Sequence, residues 1–276
     1  MRKRSAEWLA YFRGNVDRAP PPVDAEGAAG IAPGLRAALV RSLGRFYLGE
    51  TGEGRIAHEA ARSGDPALDE AMCESIVLYI REEGRHARAL AGALVALGAA
   101  LPERHYTEVI FRRARRLMGL RTKMMTLAVA EIVGLAYYEL LAERVPPVAG
   151  VARTLARDER EHLAFQAEFF ARVIEGHAEG ERGVMVRVRG GMIAAGYAAI
   201  VACAVATLAL DHAPLLRELR VTPAELAARC AQQAWSGIDV CRALLREPRL
   251  VASAAGDRAS PSVRPVRYGR AEVHAT

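Results

Sequence analysis

Apolar residues recur three and four positions apart over long stretches of this chain, with few runs of the strict alternation that marks a half-buried strand. Helices are predicted over 33–62, 66–98, 120–145 and 148–177, and two more over 184–210 and 222–247. In the second, Ile76, Tyr79, Ile80, Glu83, His86, Ala87, Leu90 and Leu94 share the inner stripe. In the fourth, Leu155, Glu159, His162, Phe165 and Phe169 do so. The third is apolar almost all round from 124 to 141, interrupted by Glu131 and Glu139. The first holds an irregular cluster, Gly49-Glu50-Thr51-Gly52-Glu53-Gly54. Each glycine costs a helix about 1 kcal/mol against alanine. Either a close approach compensates, or the segment is a loop between two shorter helices.

Punctuation divides the chain. Ser63-Gly64-Asp65-Pro66 reads as a stop followed by a start, with Asp65 as cap and Pro66 in the first helical position. Residues 99–119, with Leu101-Pro102 and an arginine-rich run at 112–116, have the length of a crossover between the second and third helices and are read as partly helical. Pro146-Pro147 ends the third helix, Asp211-His212-Ala213-Pro214 the fifth, and Thr222-Pro223-Ala224-Glu225 caps the sixth. Residues 1–32 form an N-terminal arm, with a short helix at 5–13 carrying Trp8, Leu9 and Phe12, stopped by the prolines at 20–22 and draped over the rest. The domain reading is therefore the arm, a helical bundle over 33–180, a helical extension over 181–247 packed on it, and a tail over 248–276 whose composition predicts disorder.

Composition supports an all-α fold. Of the 276 residues, 51% are hydrophobic but only 6% aromatic, the apolar share being mostly Ala, Leu and Val. The net charge of +6 rests on arginine, without a compact basic motif interleaved with aromatics, so it is read as surface charge and no nucleic-acid partner is expected. Cys73, Cys203, Cys230 and Cys241 make no Cys-x-x-Cys pair, which excludes zinc-ribbon and rubredoxin-type sites. With no disulfide framework or secretory signal in view, a cytoplasmic protein is expected. Residues 190–210 carry no charge over about a membrane's span, yet they are rich in Ala and Gly. A buried helix in a soluble protein is preferred there to membrane association.

The candidate chemistry lies in two Glu-x-x-His pairs, Glu83 with His86 and Glu159 with His162. Residues three apart share a helix face, so carboxylate and imidazole point at one spot. With 24 Glu and 7 His in 276 residues, chance gives about 0.6 such pairs, so the count alone is weak. Context strengthens it, because both pairs fall on the inward side of apolar stripes, where an unpaired charge is costly. Glu131 stands in an apolar run with no cation near it in sequence. Either a metal or a partner from another helix holds it ionised, or it stays protonated in the core. Two Glu-x-x-His helices plus one glutamate from each of two others make a two-metal carboxylate site in a four-helix bundle. The last carboxylate is Glu50 or Glu53. Glu83 lies 19 residues from the turn near Gly64, Glu50 14 and Glu53 11, and at about 1.5 Å per residue Glu50 matches the level better.

In these residues the chain resembles the ferritin-like di-iron carboxylate superfamily over about residues 35–175. The resemblance implies a ferritin-like four-helix bundle with a long crossover between helices two and three, here with two extra C-terminal helices. It implies metal ligands Glu50, Glu83, His86, Glu131, Glu159 and His162. Glu82-Glu83-Gly84-Arg85-His86 fits the Asp/Glu-Glu-x-Arg-His pattern of the oxygen-activating branch in full, and Asp158-Glu159-Arg160-Glu161-His162 fits it except for Glu161. An acid one residue before a ligand glutamate can accept the far ring N–H of a ligand histidine from a neighbouring helix, the role expected of Glu82 and Asp158 unless they face solvent. Glu53, Tyr79 and Tyr138 are further candidates beside the ligands. Tyr47, Tyr79 and Tyr138 are weighed as redox relays against plain core packing, and His58 as an extra ligand against a surface residue.

The implied cofactor is a pair of iron ions, with Mn/Fe as the alternative. The implied function is O₂ activation to oxidise or hydroxylate a small organic substrate, with an external electron donor. The alternatives are a ferroxidase or peroxide-handling protein without organic substrate, and a non-catalytic, membrane-associated helical protein. A homodimer is compatible with the sequence.

Overall fold

The computed structural model describes residues 3–51, 54–65, 68–103, 118–178 and 184–246. The described residues form ten α-helices and one 3-10 turn, with no strand. These are α1 (Ser5–Asn15), α2 (Ala25–Ala29), α3 (Pro33–Glu50), α4 (Gly54–Ala60), α5 (Glu70–Ala96), α6 (Leu120–Arg144), α7 (Ala149–Ala178), α8 (Val184–Asp211), α9 (Ala213–Glu218) and α10 (Pro223–Arg246). The predicted disordered tail and most of the predicted crossover lie outside the described residues.

Local chemistry sets the helix limits. The first predicted long helix is two helices. α3 ends at Glu50, where the Thr51 hydroxyl donates to the Leu48 carbonyl at 2.8 Å, and α4 begins at Gly54. α3 therefore stops inside the glycine-rich stretch, in keeping with the helix cost of glycine. The second predicted helix starts later than 66. Asp69 is its cap, accepting the Met72 N–H at 2.8 Å, whereas Asp65 is held by Arg121 at 2.5 Å. α5 ends in a Schellman motif, with Gly98 at φ 74°, its N–H on the Val95 carbonyl and the Ala99 N–H on the Leu94 carbonyl.

α3 packs along α5, and α6 along α7. α5 and α7 meet across the interior, α4 leans on α5 and α6, and α10 covers α6 and α7. Two apolar clusters result. One joins Leu39 and Leu43 of α3, Leu90 and Leu94 of α5, Ile132 to Leu141 of α6 and Val151 to Ala156 of α7 with Leu208, Leu216 and Leu226 of the extension. The other joins Ile56 of α4, Met72 to Ile80 of α5, Met124 and Leu127 of α6, and Phe165 and Phe169 of α7. Between them, at the same level on each long helix, lie Glu82 to His86, Glu131 and Asp158 to His162. The fold therefore sandwiches a buried polar layer between two apolar halves.

The N-terminal segment belongs to the second cluster. α1 runs along α5, and Trp8 and Phe12 are 3% and 2% exposed. Their rings meet Phe165 at 5.3 and 5.0 Å, and Phe12 lies 6.2 Å from Tyr79 and 6.3 Å from His162. Among the described residues one helix, α6, is long and apolar enough to cross a membrane, and 78% of its apolar window is buried inside the fold. The apolar part of α8, 196–211, presents Tyr197, Val201 and Leu208 to the first cluster and leaves Leu210 78% exposed.

Truncating a ring so enclosed removes contacts that the surroundings cannot refill. Phe12→Ala is expected to cost about 3–5 kcal/mol of stability, read as a fall in the urea midpoint. A change below about 1 kcal/mol would show α1 to be a dispensable appendage.

Candidate metal centre

The three-residue spacing on α5 and α7 brings Glu83, His86, Glu159 and His162 together. One ligand atom from each lies within 4.8 Å of the others, and all four residues are buried. His162 Nδ1 is 3.0 Å from Glu83, 3.1 Å from Glu159 and 3.7 Å from Glu131. His86 Nδ1 is 3.4 Å from Glu159 and 4.0 Å from Glu83. The two rings lie 5.3 Å apart. Glu131 comes in from α6 and accepts a hydrogen bond from the Tyr79 hydroxyl, to which Gln166 donates at 2.8 Å. Glu50, at the C-terminal end of α3, accepts from the Tyr138 hydroxyl at 2.9 Å. Both tyrosines thus brace the carboxylates that come from helices without a histidine. Glu53 lies outside the described residues, Tyr47 packs against the first cluster, and His58 is exposed.

The far nitrogens are arranged reciprocally. His86 Nε2, on α5, faces Asp158 of α7 at 3.6 Å, and His162 Nε2, on α7, faces Glu82 of α5 at 3.5 Å. Each faces the acid that precedes the partner helix's glutamate. These separations are electrostatic contacts, longer than made hydrogen bonds. Neither acid faces solvent, each being 3% exposed or less. Arg85 lies between them, donating to Glu82 and, at 3.3 Å, to Asp158.

Burial and charge divide the acids into two sets. Burial pushes Asp158 up, but His86 and the Arg18 guanidinium outweigh it and hold the group well below the usual carboxylate range. Glu82 is likewise lowered, by His162 and Arg85 against burial. In the inner set, burial and then the charges of Glu131 and Glu50 raise Glu83 well above its ordinary value. Burial and the neighbouring Glu159 push Glu131 to about 8. Glu159 is drawn down to about 2 despite burial, by its hydrogen bond with Glu131 and by both histidines. His86 and His162 are raised despite burial, chiefly by the charges of Glu159 and Glu83 respectively. The inner layer thus holds protons where cations are in demand.

The donor set fits a divalent metal. Glu83 Oε1 and His86 Nδ1 are buried at the centre without a hydrogen-bond partner, and the neighbouring donors are carboxylates and imidazoles, the set that suits iron or manganese. The sequence reading missed the roles of Arg85, Asn15, Arg18 and Gln166. Arg85 stands inside the quoted motif and Gln166 is one turn beyond His162 on the same stripe, so both carried a signal; Asn15 and Arg18 carried none. A charged groove of about 640 Å³ lies elsewhere, between α6, α7 and α10, lined among others by Glu139, Arg160 and Arg229. Comparison of the chain with models of protein families, with curated proteins and with solved structures found no match.

Without metal, the unfolded chain releases the Glu131 proton near the ordinary 4.5 while the folded chain keeps it to about 8. Glu83 and the two histidines shift in the same direction. Folding therefore takes up protons in this window, and stability falls as pH rises through it. The depressed Asp158 and Glu159 act oppositely, but only below about pH 4.5. In chelator, the urea midpoint is expected to be lower at pH 8 than at pH 6, with a flatter dependence in Glu131→Gln. A midpoint that rises over this interval would contradict the assignment.

Proposed function

We propose that the protein is a ferritin-like di-iron carboxylate oxidoreductase that activates O₂ to oxidise or hydroxylate a small organic substrate. The observation that carries this reading is the convergence of Glu83, His86, Glu159 and His162 within 4.8 Å, with Glu131 against His162 and Glu50 on Tyr138. That is one carboxylate from each of two helices and a Glu-x-x-His from each of two others, the composition of a two-metal bundle site. When bound, the iron pair would supply the electrons that reduce O₂. This chain's residues have their own tasks. The six ligand candidates hold the ions. Glu82 and Asp158 orient the histidine rings. Phe12, Phe165 and Tyr79 keep water from the His162 side, while Tyr138 fixes Glu50.

The test is metal and oxygen stoichiometry. Purified protein loaded anaerobically with Fe²⁺ is expected to retain about two irons per chain. Glu159→Ala and Glu131→Ala should fall to half of that or less. Unchanged iron in both variants would overturn the site. Once the loaded protein consumes O₂, the electron count separates the chemistries: oxidation of excess Fe²⁺ over many turnovers without any organic compound would favour a ferroxidase over the proposed oxygenase.

A further inference from the structure

Two polar residues of the N-terminal segment, one at the C-terminal end of α1 and one just beyond it, reach the back of the centre. Asn15, 8% exposed, donates from Nδ2 to Glu82 Oε1 at 3.2 Å. Arg18 donates from Nη1 to Asp158 Oδ1 at 2.7 Å and from Nη2 to the Asn15 side chain. Arg85 ties the segment from the other side, donating to the Asn15 carbonyl at 2.6 Å. A backbone bond from Arg18 N–H to the Asn15 carbonyl turns the chain so that both side chains meet the same layer. The apolar face of α1, Trp8 and Phe12, fixes the segment against Phe165 and Tyr79. Each acid facing a histidine Nε2 is therefore held from two directions, by Arg85 of α5 and by a residue of the N-terminal segment. Arg18 and Arg85 are the less exposed guanidiniums on this outer layer, and Arg157, 58% exposed, reaches Asp158 from the solvent side.

We infer that Asn15 and Arg18 are positioning residues of the metal centre, and that the N-terminal segment completes the layer that orients its histidines. The inference rests on the metal reading of the cluster. Without Arg18, Asp158 keeps Arg85 at 3.3 Å and the largely exposed Arg157 at 3.2 Å. Its carboxylate is then free to turn from His86, whose ring loses its fixed partner. Loss of such a partner costs about 10–100-fold in metal affinity.

The test uses the full chain, stripped with chelator and titrated with Co²⁺ as an optical probe. Arg18→Ala is expected to bind Co²⁺ about 10–100-fold more weakly and to shift its visible absorption bands, with Asn15→Ala changing in the same direction. Arg18→Lys should recover most of the affinity. Arg13→Ala is the control, because it breaks an exposed 2.7 Å pair from the same helix to Glu74 without touching the outer layer. Its affinity and spectrum should match the wild type. Wild-type Co²⁺ uptake with an unchanged Arg18→Ala would overturn this inference alone. So would an Arg13→Ala loss as large as that of Arg18→Ala, since docking of the arm would then explain both. No Co²⁺ uptake by the wild type would overturn the metal reading and this inference with it.

Discussion

The structure depends on keeping a layer of ionisable groups out of water between two apolar halves. Glu82, Glu83, Glu131, Asp158 and Glu159 are each 4% exposed or less, as are His86 and His162. An isolated carboxylate in such a place costs several kcal/mol even after the surroundings relax. Five of them need cations, protons or both. Arg85 and Arg18 satisfy Glu82 and Asp158, which stay ionised. Among the described residues no guanidinium contacts the inner acids; burial raises the proton affinity of Glu83 and Glu131, and the neighbouring carboxylates raise that of the two imidazoles. A divalent ion would displace those protons in place. The arrangement that makes the metal-free chain tolerable is thus the one that makes it a competitor for metal.

That layer also fixes the order of the helices. Polar residues at matching levels on α5, α6 and α7 leave apolar residues above and below them, so a slip of one turn would push Glu131 or His162 into an apolar cluster. The end of α3 at Glu50 serves the same register on the α3 and α4 side: Leu39 and Leu43 of α3 pack in one cluster, Ile56 of α4 in the other, and Glu50 falls between.

What was legible in the sequence follows from how each feature announces itself. Glu131 is legible because a carboxylate in an apolar run has few explanations. The Glu-x-x-His pairs are legible because helical spacing converts three residues into one face. The acids before Glu83 and Glu159 become legible once the pairs are set on facing helices, since each then points across to the other helix's histidine. The long helices and their extension followed from periodicity, but a single helix over 33–62 was expected where α3 ends at Glu50 and α4 begins at Gly54, the glycine cost having offered the loop only as the alternative. Docking of α1 did not, because eleven residues carry too little pattern to say which surface they meet. Asn15 and Arg18 were invisible for the same reason: their partners lie 67 and 140 residues away, and only the folded chain joins them.

Hydropathy meets its limit in α6 and α8. α6 passes a membrane test by length and composition, yet it is apolar all round because other helices surround it, and its buried Lys123 is paired with Glu59 of α4. The 190–210 stretch is uncharged in sequence, yet along 196–211 the helix buries only one side, with Leu208 at 4% and Leu210 at 78% exposed. A scale that sums residues cannot separate these cases, since it counts side chains and not neighbours. The residue that does separate them is Glu131. A helix carrying a carboxylate at mid-length, hydrogen-bonded by a tyrosine of one neighbour and approached by a histidine of another, is held in a bundle by its polar side as much as by its apolar one.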